Sequence, residues 1–284
     1  MHFRLAVLSR ASESHPVPRL VIIGGAEDKT GECTVLRELV RLAGGSEARI
    51  ALVPAATTIP NEVAEDYRAL FLRLGVAEVQ TLHVQTRDDA KDPALAAYLE
   101  QATGVFFTGG DQLRLMGLIG GTPLDTILHV RVQQGLLVAG TSAGAAVMST
   151  TMIVSGESDA PTTGEVRTGP GLELLPGVII DQHFAQRGRI GRLLSVVAQF
   201  PHEIGIGIDE DTALVVAGHA CRVIGSGAVT ILDAGGASFN NAFELPFGSR
   251  IALHGVTLHC LPSGGSFDLL ERRPLPVHSP EVPS

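Results

Sequence analysis

Tryptophan is absent from this 284-residue chain, and all aromatic residues together make up only 4% of it. An interior short of large rings must be filled by small aliphatic side chains, as in parallel sheets covered by helices on both faces. Cysteine is scarce too: Cys33, Cys221 and Cys260 lie far apart with no Cys-x-x-Cys pair. An odd, sparse set argues against a disulfide framework and a zinc site, and it fits a reducing compartment. Basic charge is in deficit, with 21 Lys and Arg against 30 Asp and Glu for a net charge of −9. That disfavours a nucleic-acid partner, which asks for a clustered basic surface. A cationic, arginine-bearing substrate would be attracted instead.

Long apolar runs are also lacking. Leu5-Ala6-Val7-Leu8 falls short of the ~7–15-residue apolar stretch of a signal peptide. No segment approaches the ~20 apolar residues of a membrane span. The expectation is a cytoplasmic protein with no membrane partner.

What is present reads as one large domain. Residues 1–18 form a polar leader and residues 273–284 a frayed tail, leaving 19–272 as the folded unit. Leu20-Val21-Ile22-Ile23 is a short strand entering the loop at Gly24-Gly25, with a helix over about Cys33 to Leu42. The rhythm repeats: a strand at Arg49 to Ala56 and a helix from about Asn61 to Leu74, then the strand "AEVQTLHV" and the helix "ALAAYLEQA". It returns as a strand at Gly104 to Phe107, the loop at Gly109-Gly110 and a helix from about Gln112, then as "GLLVAGTSAGAAVM". Strands alternating with helices predict an α/β fold with a parallel sheet covered on both faces. Sites in such sheets gather at the carboxyl ends of the strands. The three glycine loops, at 24–25, 109–110 and 140–144, should share one edge. After about Gly164 the pattern turns to a strand ending at Asp181, an amphipathic helix, and glycine-punctuated runs that alternate like hairpins. A small β-rich extension over about 217–272, continuous with the main sheet, is expected there.

Gly140-Thr141-Ser142-Ala143-Gly144 is a Gly-x-Ser-x-Gly sequence between strand and helix, the setting of a nucleophile elbow. A sharp turn lifts the hydroxyl above the sheet, and the next amide, that of Ala143, points at the place where an oxyanion would form. The competing reading is a serine that merely caps the following helix. A serine needs a base to act as a nucleophile. His183, after Val178-Ile179-Ile180-Asp181-Gln182, would emerge at a strand end on the same edge. A carboxylate to hold its tautomer is available at Asp209, Glu210 or Asp211. Strand alternation sets Glu210 apart from its neighbours. The order Ser…His…acid disfavours an α/β-hydrolase. Gly110 in "TGGDQ" is the candidate second oxyanion donor. Phosphate binding there is weak, since neither glycine pair completes Gly-x-Gly-x-x-Gly or a P-loop. Arg187, Arg189 and Arg192 crowd behind His183, a run that is most often a solvated helix face but that beside a candidate base could clamp a carboxylate or hold carboxylate side chains in position.

Five segments in order, "GGAEDK", "FFTGGDQLRL", "GTSAGAAVMS", "DQHFAQRGRIGRL" and "GIGIDEDTAL", resemble the cyanophycinase family, serine exopeptidases of the peptidase E-like superfamily. The resemblance spans about Leu20 to Val216. It implies a flavodoxin-like fold, mostly parallel with helices on both faces, related to class I glutamine amidotransferases and usually dimeric. It implies hydrolysis of cyanophycin, a poly-aspartate bearing arginine on each β-carboxyl, to β-Asp-Arg dipeptides. By the same resemblance Ser142 is nucleophile, His183 base and Glu210 its orienting acid, without metal or cofactor. Gln112, Asp181, Gln182, Arg187, Arg189 and Arg192 become pocket residues. Glu157 or Asp159, in a further similar segment, becomes the partner of a substrate guanidinium. Asp211 departs from the expected Asp-Glu-Asn and leaves Glu210 in place. A peptidase E-type aspartyl or isoaspartyl dipeptidase, or a silent amidotransferase-like binding protein, are the rival readings.

Overall fold

The computed structural model describes residues 19–276. The chain runs β1 (Arg19–Ile23), α1 (Thr34–Ala43), β2 (Arg49–Val53), α2 (Pro60–Arg73), β3 (Glu78–Thr81), α3 (Pro93–Gln101) and β4 (Gly104–Phe107). It continues through α4 (Gln112–Ile119), α5 (Pro123–Gln133), β5 (Leu137–Thr141), α6 (Ala143–Ala146), β6 (Thr151–Ser155), β7 (Arg167–Pro170), β8 (Val178–Gln182) and α7 (Ile190–Gln199). The remainder is β9 (Ile204–Ile208), β10 (Thr212–Ala217), β11 (Ala220–Gly225), β12 (Ala228–Asp233), β13 (Phe239–Asn240) and β14 (Leu253–His254). Then follow β15 (Thr257–Pro262), β16 (Ser266–Asp268) and β17 (Arg273–Pro274).

Nine strands form the main sheet in the order β17-β16-β11-β10-β1-β5-β4-β2-β3. The run from β1 to β3 is parallel, and β10, β11, β16 and β17 extend its other side in antiparallel fashion. The expected α/β fold with a large, mostly parallel central sheet is therefore observed. Strand alternation divides β1 between two cores. Leu20 and Ile22 join Tyr98, Leu99, Leu128 and Val132 of α3 and α5 on one face. Val21 and Ile23 join Leu36, Leu39 and Phe71 of α1 and α2 on the other. Burial on both faces explains why the strands read as unbroken apolar runs.

The helices start where the sequence supplies caps. Asp92 accepts from Ala94 N ahead of Pro93, and Asp111 accepts from Leu113 N and Arg114 N. Thr122 accepts from Asp125 N at the head of α5, with Pro123 in the first turn. That Thr-Pro-x-Asp start was a legible signal for a helix that the strand–helix rhythm passed over.

The β-rich part departs from expectation. It begins at β9, before residue 217, and divides among the main sheet, a second sheet and the two-stranded pair β13-β14. The second sheet has the order β15-β12-β9-β8, with β8 and β9 parallel. Thus β9 and β10 are not a hairpin: the chain leaves one sheet at Ile208 and enters the other at Thr212. It crosses back between β11 and β12. Only β10, β11, β16 and β17 continue the main sheet, because β12 takes its partners from β9 and β15. The expected tail boundary also shifts, since Arg273–Pro274 pair with Phe267 and Asp268. The leader at 1–18 and the tail beyond residue 276 lie outside the described residues. Among these, no helix is long and apolar enough to cross a membrane.

Three of the few aromatics meet where α2 packs on β4. Phe106 is fully buried, with ring centroids 4.8 Å from Tyr67 and 5.2 Å from Phe71. Phe106→Ala should cost about 3–5 kcal/mol of folding free energy through the cavity it leaves, read from equilibrium denaturant unfolding.

Candidate active site

Three loops following β1, β4 and β5 open at one end of the parallel sheet, as the glycine pattern predicts. Ser142 occupies the turn out of β5 with φ 53° and ψ −111°, a conformation that costs a non-glycine residue roughly 1–3 kcal/mol. The two flanking glycines permit it. A Cβ on Gly140 would lie 2.3 Å from the Gly144 carbonyl oxygen, and one on Gly144 would lie 2.3 Å from that of Phe107. The capping alternative fails, because the Ser142 side chain makes no cap hydrogen bond to α6. Its Oγ turns instead to His183 Nε2 at 3.1 Å.

His183 leaves the end of β8 in a left-handed conformation, φ 49°. Its Nδ1 stands 2.6 Å from Glu210 Oε1. A carboxylate accepts only, so Nδ1 carries the proton and Nε2 offers its lone pair to the serine hydroxyl. The imidazole is largely sheltered at 13% side-chain exposure, while Glu210 keeps 35%.

The three candidate acids divide by position. Glu210 meets the histidine from the tight turn between β9 and β10, so location in that turn, and not strand alternation, separates it from its neighbours. Its backbone N donates to Gln186 Oε1. Asp209 accepts from Ala185 N and Ala228 N, both at 3.0 Å, which joins the loop after His183 to the start of β12. Asp211 Oδ1 accepts from Asp28 N at 2.8 Å. Asp28 in turn accepts from the N–H groups of Cys33, Gly31 and Thr30, which hold its carboxyl down at about 2.

Gly24 and Gly25, set aside in the sequence as an incomplete phosphate loop, form the frame of this arrangement. Ser142 N donates to Ile23 O at 3.0 Å, His183 N to Gly24 O at 2.8 Å, and Asp211 N to Gly25 O at 2.9 Å. The imidazole lies over Gly25, where a Cβ would come within 2.3 Å of its Cε1.

Gly110 takes φ 142° and packs where a Cβ would meet Ala56 O at 2.3 Å. The preceding residue, Gly109, places its Cβ position 3.4 Å from Ser142 Cβ. Among the described residues the N–H groups of Gly109, Gly110 and Ala143 have no hydrogen-bond partner. Unpaired donors beside a nucleophile are what a developing oxyanion requires. The helix behind Ala143 is a single turn of four residues, so the amides, and not a helix dipole, supply the local field.

The remaining pocket candidates fall into two layers. Asp181 is fully buried, and Arg192 Nε and Nη2 grip its two oxygens, the former at 2.8 Å. Arg192 itself is 3% exposed, so this pair faces the protein and offers no surface to a ligand. The sequence-based pocket role gives way to support from behind for these two. Arg189 Nη1 donates to Gln182 O and Gln182 Oε1, and Nη2 to Glu157 Oε1 at 3.3 Å. Burial, and then the neighbouring Arg192, press the Arg189 guanidinium below its ordinary value. Glu157 is 68% exposed, with Arg192 Nη1 also 3.6 Å away. Arg187 is exposed on the turn just after His183. Gln112 Nε2 donates to Ile153 O and Val154 O, joining the start of α4 to β6.

The chain is similar to several known proteins. The family model of Peptidase family S51 matches residues 20–224. The cyanophycinase of Trichormus variabilis is 41% identical over 261 residues, covering 91% of this chain and 88% of that protein. The cyanophycinase of Geminocystis herdmanii is 39% identical over 259 residues, covering 90% and 95%. A crystal structure of a peptidase from an acI-B1 Actinobacterium superposes with a TM-score of 0.66 at 25% identity, covering 89% of this chain and 98% of that one.

Gly25→Ala should displace the imidazole and slow labelling of Ser142 by a fluorophosphonate, a serine-directed reagent, by about a hundredfold, the effect of an ångström-scale misplacement. Mass spectrometry of the adduct against time reads that rate.

Proposed function

The chain belongs to peptidase family S51, and from that premise we propose a serine-type exopeptidase that hydrolyses cyanophycin to β-Asp-Arg dipeptides. The observation that carries the proposal is the unbroken relay from Ser142 Oγ to His183 Nε2 at 3.1 Å and from His183 Nδ1 to Glu210 Oε1 at 2.6 Å. The two cyanophycinase relatives, at 41% and 39% identity, support the substrate.

His183 Nε2 takes the Ser142 proton as Oγ attacks a main-chain carbonyl of the polymer. Glu210 holds the Nδ1–H tautomer and stabilises the imidazolium that forms. The Gly110 and Ala143 amides receive the oxyanion, a donor of this kind contributing typically ~2.7–4 kcal/mol. The imidazolium then returns its proton to the departing amine, leaving an acyl-enzyme on Ser142. Water, deprotonated by the same imidazole, releases the product acid. This sequence of steps calls on no metal and no cofactor.

In this reading Gln112, Gln182, Arg187, Arg189 and Glu157 belong to the substrate pocket, with Asp181, gripped by Arg192, holding Gln182 N and Arg189 Nη1 from within the protein. Glu157 shares its charge with two internal arginines, so a substrate guanidinium bound there must compete with them. The net charge of −9 favours a substrate that carries arginine and speaks against a nucleic-acid partner. The same reading places the protein in the cytoplasm as a homodimer, with no membrane partner.

Ser142→Ala should abolish clearance of purified cyanophycin while the folded protein still sediments with the insoluble polymer. Product analysis should show β-Asp-Arg with the unaltered protein. Activity confined to short Asp-x or isoaspartyl peptides would indicate a dipeptidase of the peptidase E type. No turnover and no serine labelling would indicate a binding protein.

A further inference from the structure

The "GGAEDK" segment contains a buried acid that the mechanism leaves unused. Glu27 is 4% exposed and sits in the loop after β1, two residues beyond the glycine that lies against the His183 ring. One carboxyl oxygen, Oε2, accepts from the Thr141 hydroxyl at 2.6 Å. The other, Oε1, accepts from the Tyr67 hydroxyl of α2. Lys29 Nζ approaches Oε1 to 3.8 Å and lies 4.2 Å from the centroid of the Tyr67 ring. A buried carboxyl is tolerable only when its oxygens are hydrogen-bonded and its charge is answered. Here two hydroxyls and an ammonium do both.

The placement of the two hydroxyls is informative. Thr141 immediately precedes the nucleophile and is itself 3% exposed. Tyr67 belongs to the helix packed over the opposite core. Burial, and after it the neighbouring Glu27, hold the Tyr67 phenol above its ordinary value, so it remains a donor. The loop that carries Glu27 also carries the Gly24 and Gly25 carbonyls, which accept from His183 N and Asp211 N. One loop therefore grips the elbow by a side chain, and by its backbone it grips the histidine and Asp211, the residue after Glu210.

Resting on the Ser142 reading above, we propose that Glu27 is a positioning residue that fixes the Ser142 elbow against His183 through Thr141. It touches neither substrate nor reacting atoms. Its effect should appear in the rate of the chemical step and not in substrate affinity, because the distance between Oγ and Nε2 is what it sets. The Tyr67 arm anchors the carboxyl to α2 and should serve stability alone.

The test is the fluorophosphonate reaction of the full chain, resolved into reagent affinity and limiting rate, for Glu27→Gln, Thr141→Val and Tyr67→Phe. Ser142→Ala serves as the unlabelled control, and each variant's thermal unfolding midpoint is measured in parallel. Glu27→Gln and Thr141→Val should lower the limiting rate about ten- to a hundredfold with reagent affinity unchanged, the order expected for a small misplacement of reacting groups. Tyr67→Phe should lower the unfolding midpoint and leave the limiting rate within about twofold of the unaltered protein, since it leaves the Thr141 contact in place. Thr141→Val keeps the branched shape at its site and decides the matter if Glu27→Gln fails to fold. Equal limiting rates in the folded Thr141→Val variant and the unaltered protein would overturn the positioning role. Failure of the unaltered protein to label would overturn the nucleophile and this role together. Normal labelling without cyanophycin cleavage would overturn the substrate alone and leave the Glu27 assignment standing.

Discussion

The relay through His183 depends on a constraint that lies in the main chain. Three consecutive carbonyls, those of Ile23, Gly24 and Gly25, accept from the N–H groups of Ser142, His183 and Asp211. Ser142, His183 and the turn that bears Glu210 are thus pinned to one short piece of backbone. These contacts contain no rotatable side chain, so they fix relative position more firmly than any ion pair on the surface. Glycine is required at the last residue of the piece, Gly25, because the imidazole occupies the space a Cβ would fill, and at Gly24 because a Cβ there would lie 2.0 Å from the Asp209 carbonyl oxygen.

A second constraint concerns the serine. Its conformation is unfavourable in isolation, and it persists because the surroundings leave no alternative. Gly140 and Gly144 let β5, the turn after it and the end of β4 approach closely enough to close the elbow. The result is a hydroxyl lifted to the edge of a sheet whose interior is otherwise sealed by aliphatic side chains. The histidine arrives from a different sheet. Its strand, β8, lies beside β9, and the crossing from β9 to β10 brings Glu210 to the junction between the two sheets. The site is therefore built where two sheets share a turn, with Asp209 tying that turn to β12 and to the loop after His183.

Much of this was legible in the sequence. Alternating apolar runs and glycine loops disclosed the parallel core, and the spacing around Ser142 disclosed the elbow. A strand ending at Asp181 was legible, one residue short of the observed end at Gln182, and it put His183 just beyond its tip. Other features escaped for identifiable physical reasons. The division of the β-rich part among separate sheets depends on long-range pairing, as of β12 with β9 and β15, which local alternation does not encode. The helix α5 was marked by Thr122, Pro123 and Asp125, a start signal weaker to the eye than a glycine turn. The glycine pairs at 24 and 109 complete no phosphate motif, and what the sequence does not encode is that their lack of a Cβ admits an imidazole at Gly25 and a neighbouring carbonyl at Gly110. The family resemblance put Asp181 and Arg192 in the pocket; their mutual bidentate grip turns them inward, a pairing between strand and helix that no local pattern encodes. Glu27 left no periodic signal, since its partners Thr141 and Tyr67 are distant in sequence.

The central claim is that Ser142 attacks with its oxyanion directed at the amides of Gly110 and Ala143. A crystal structure of the fluorophosphonate adduct tests it most directly. The account predicts phosphorus bonded to Ser142 Oγ and a phosphoryl oxygen ~2.7–3.1 Å from both amide nitrogens, with His183 still bonded to Glu210. An adduct on another residue, or a phosphoryl oxygen turned to solvent with both amides unengaged, would contradict it.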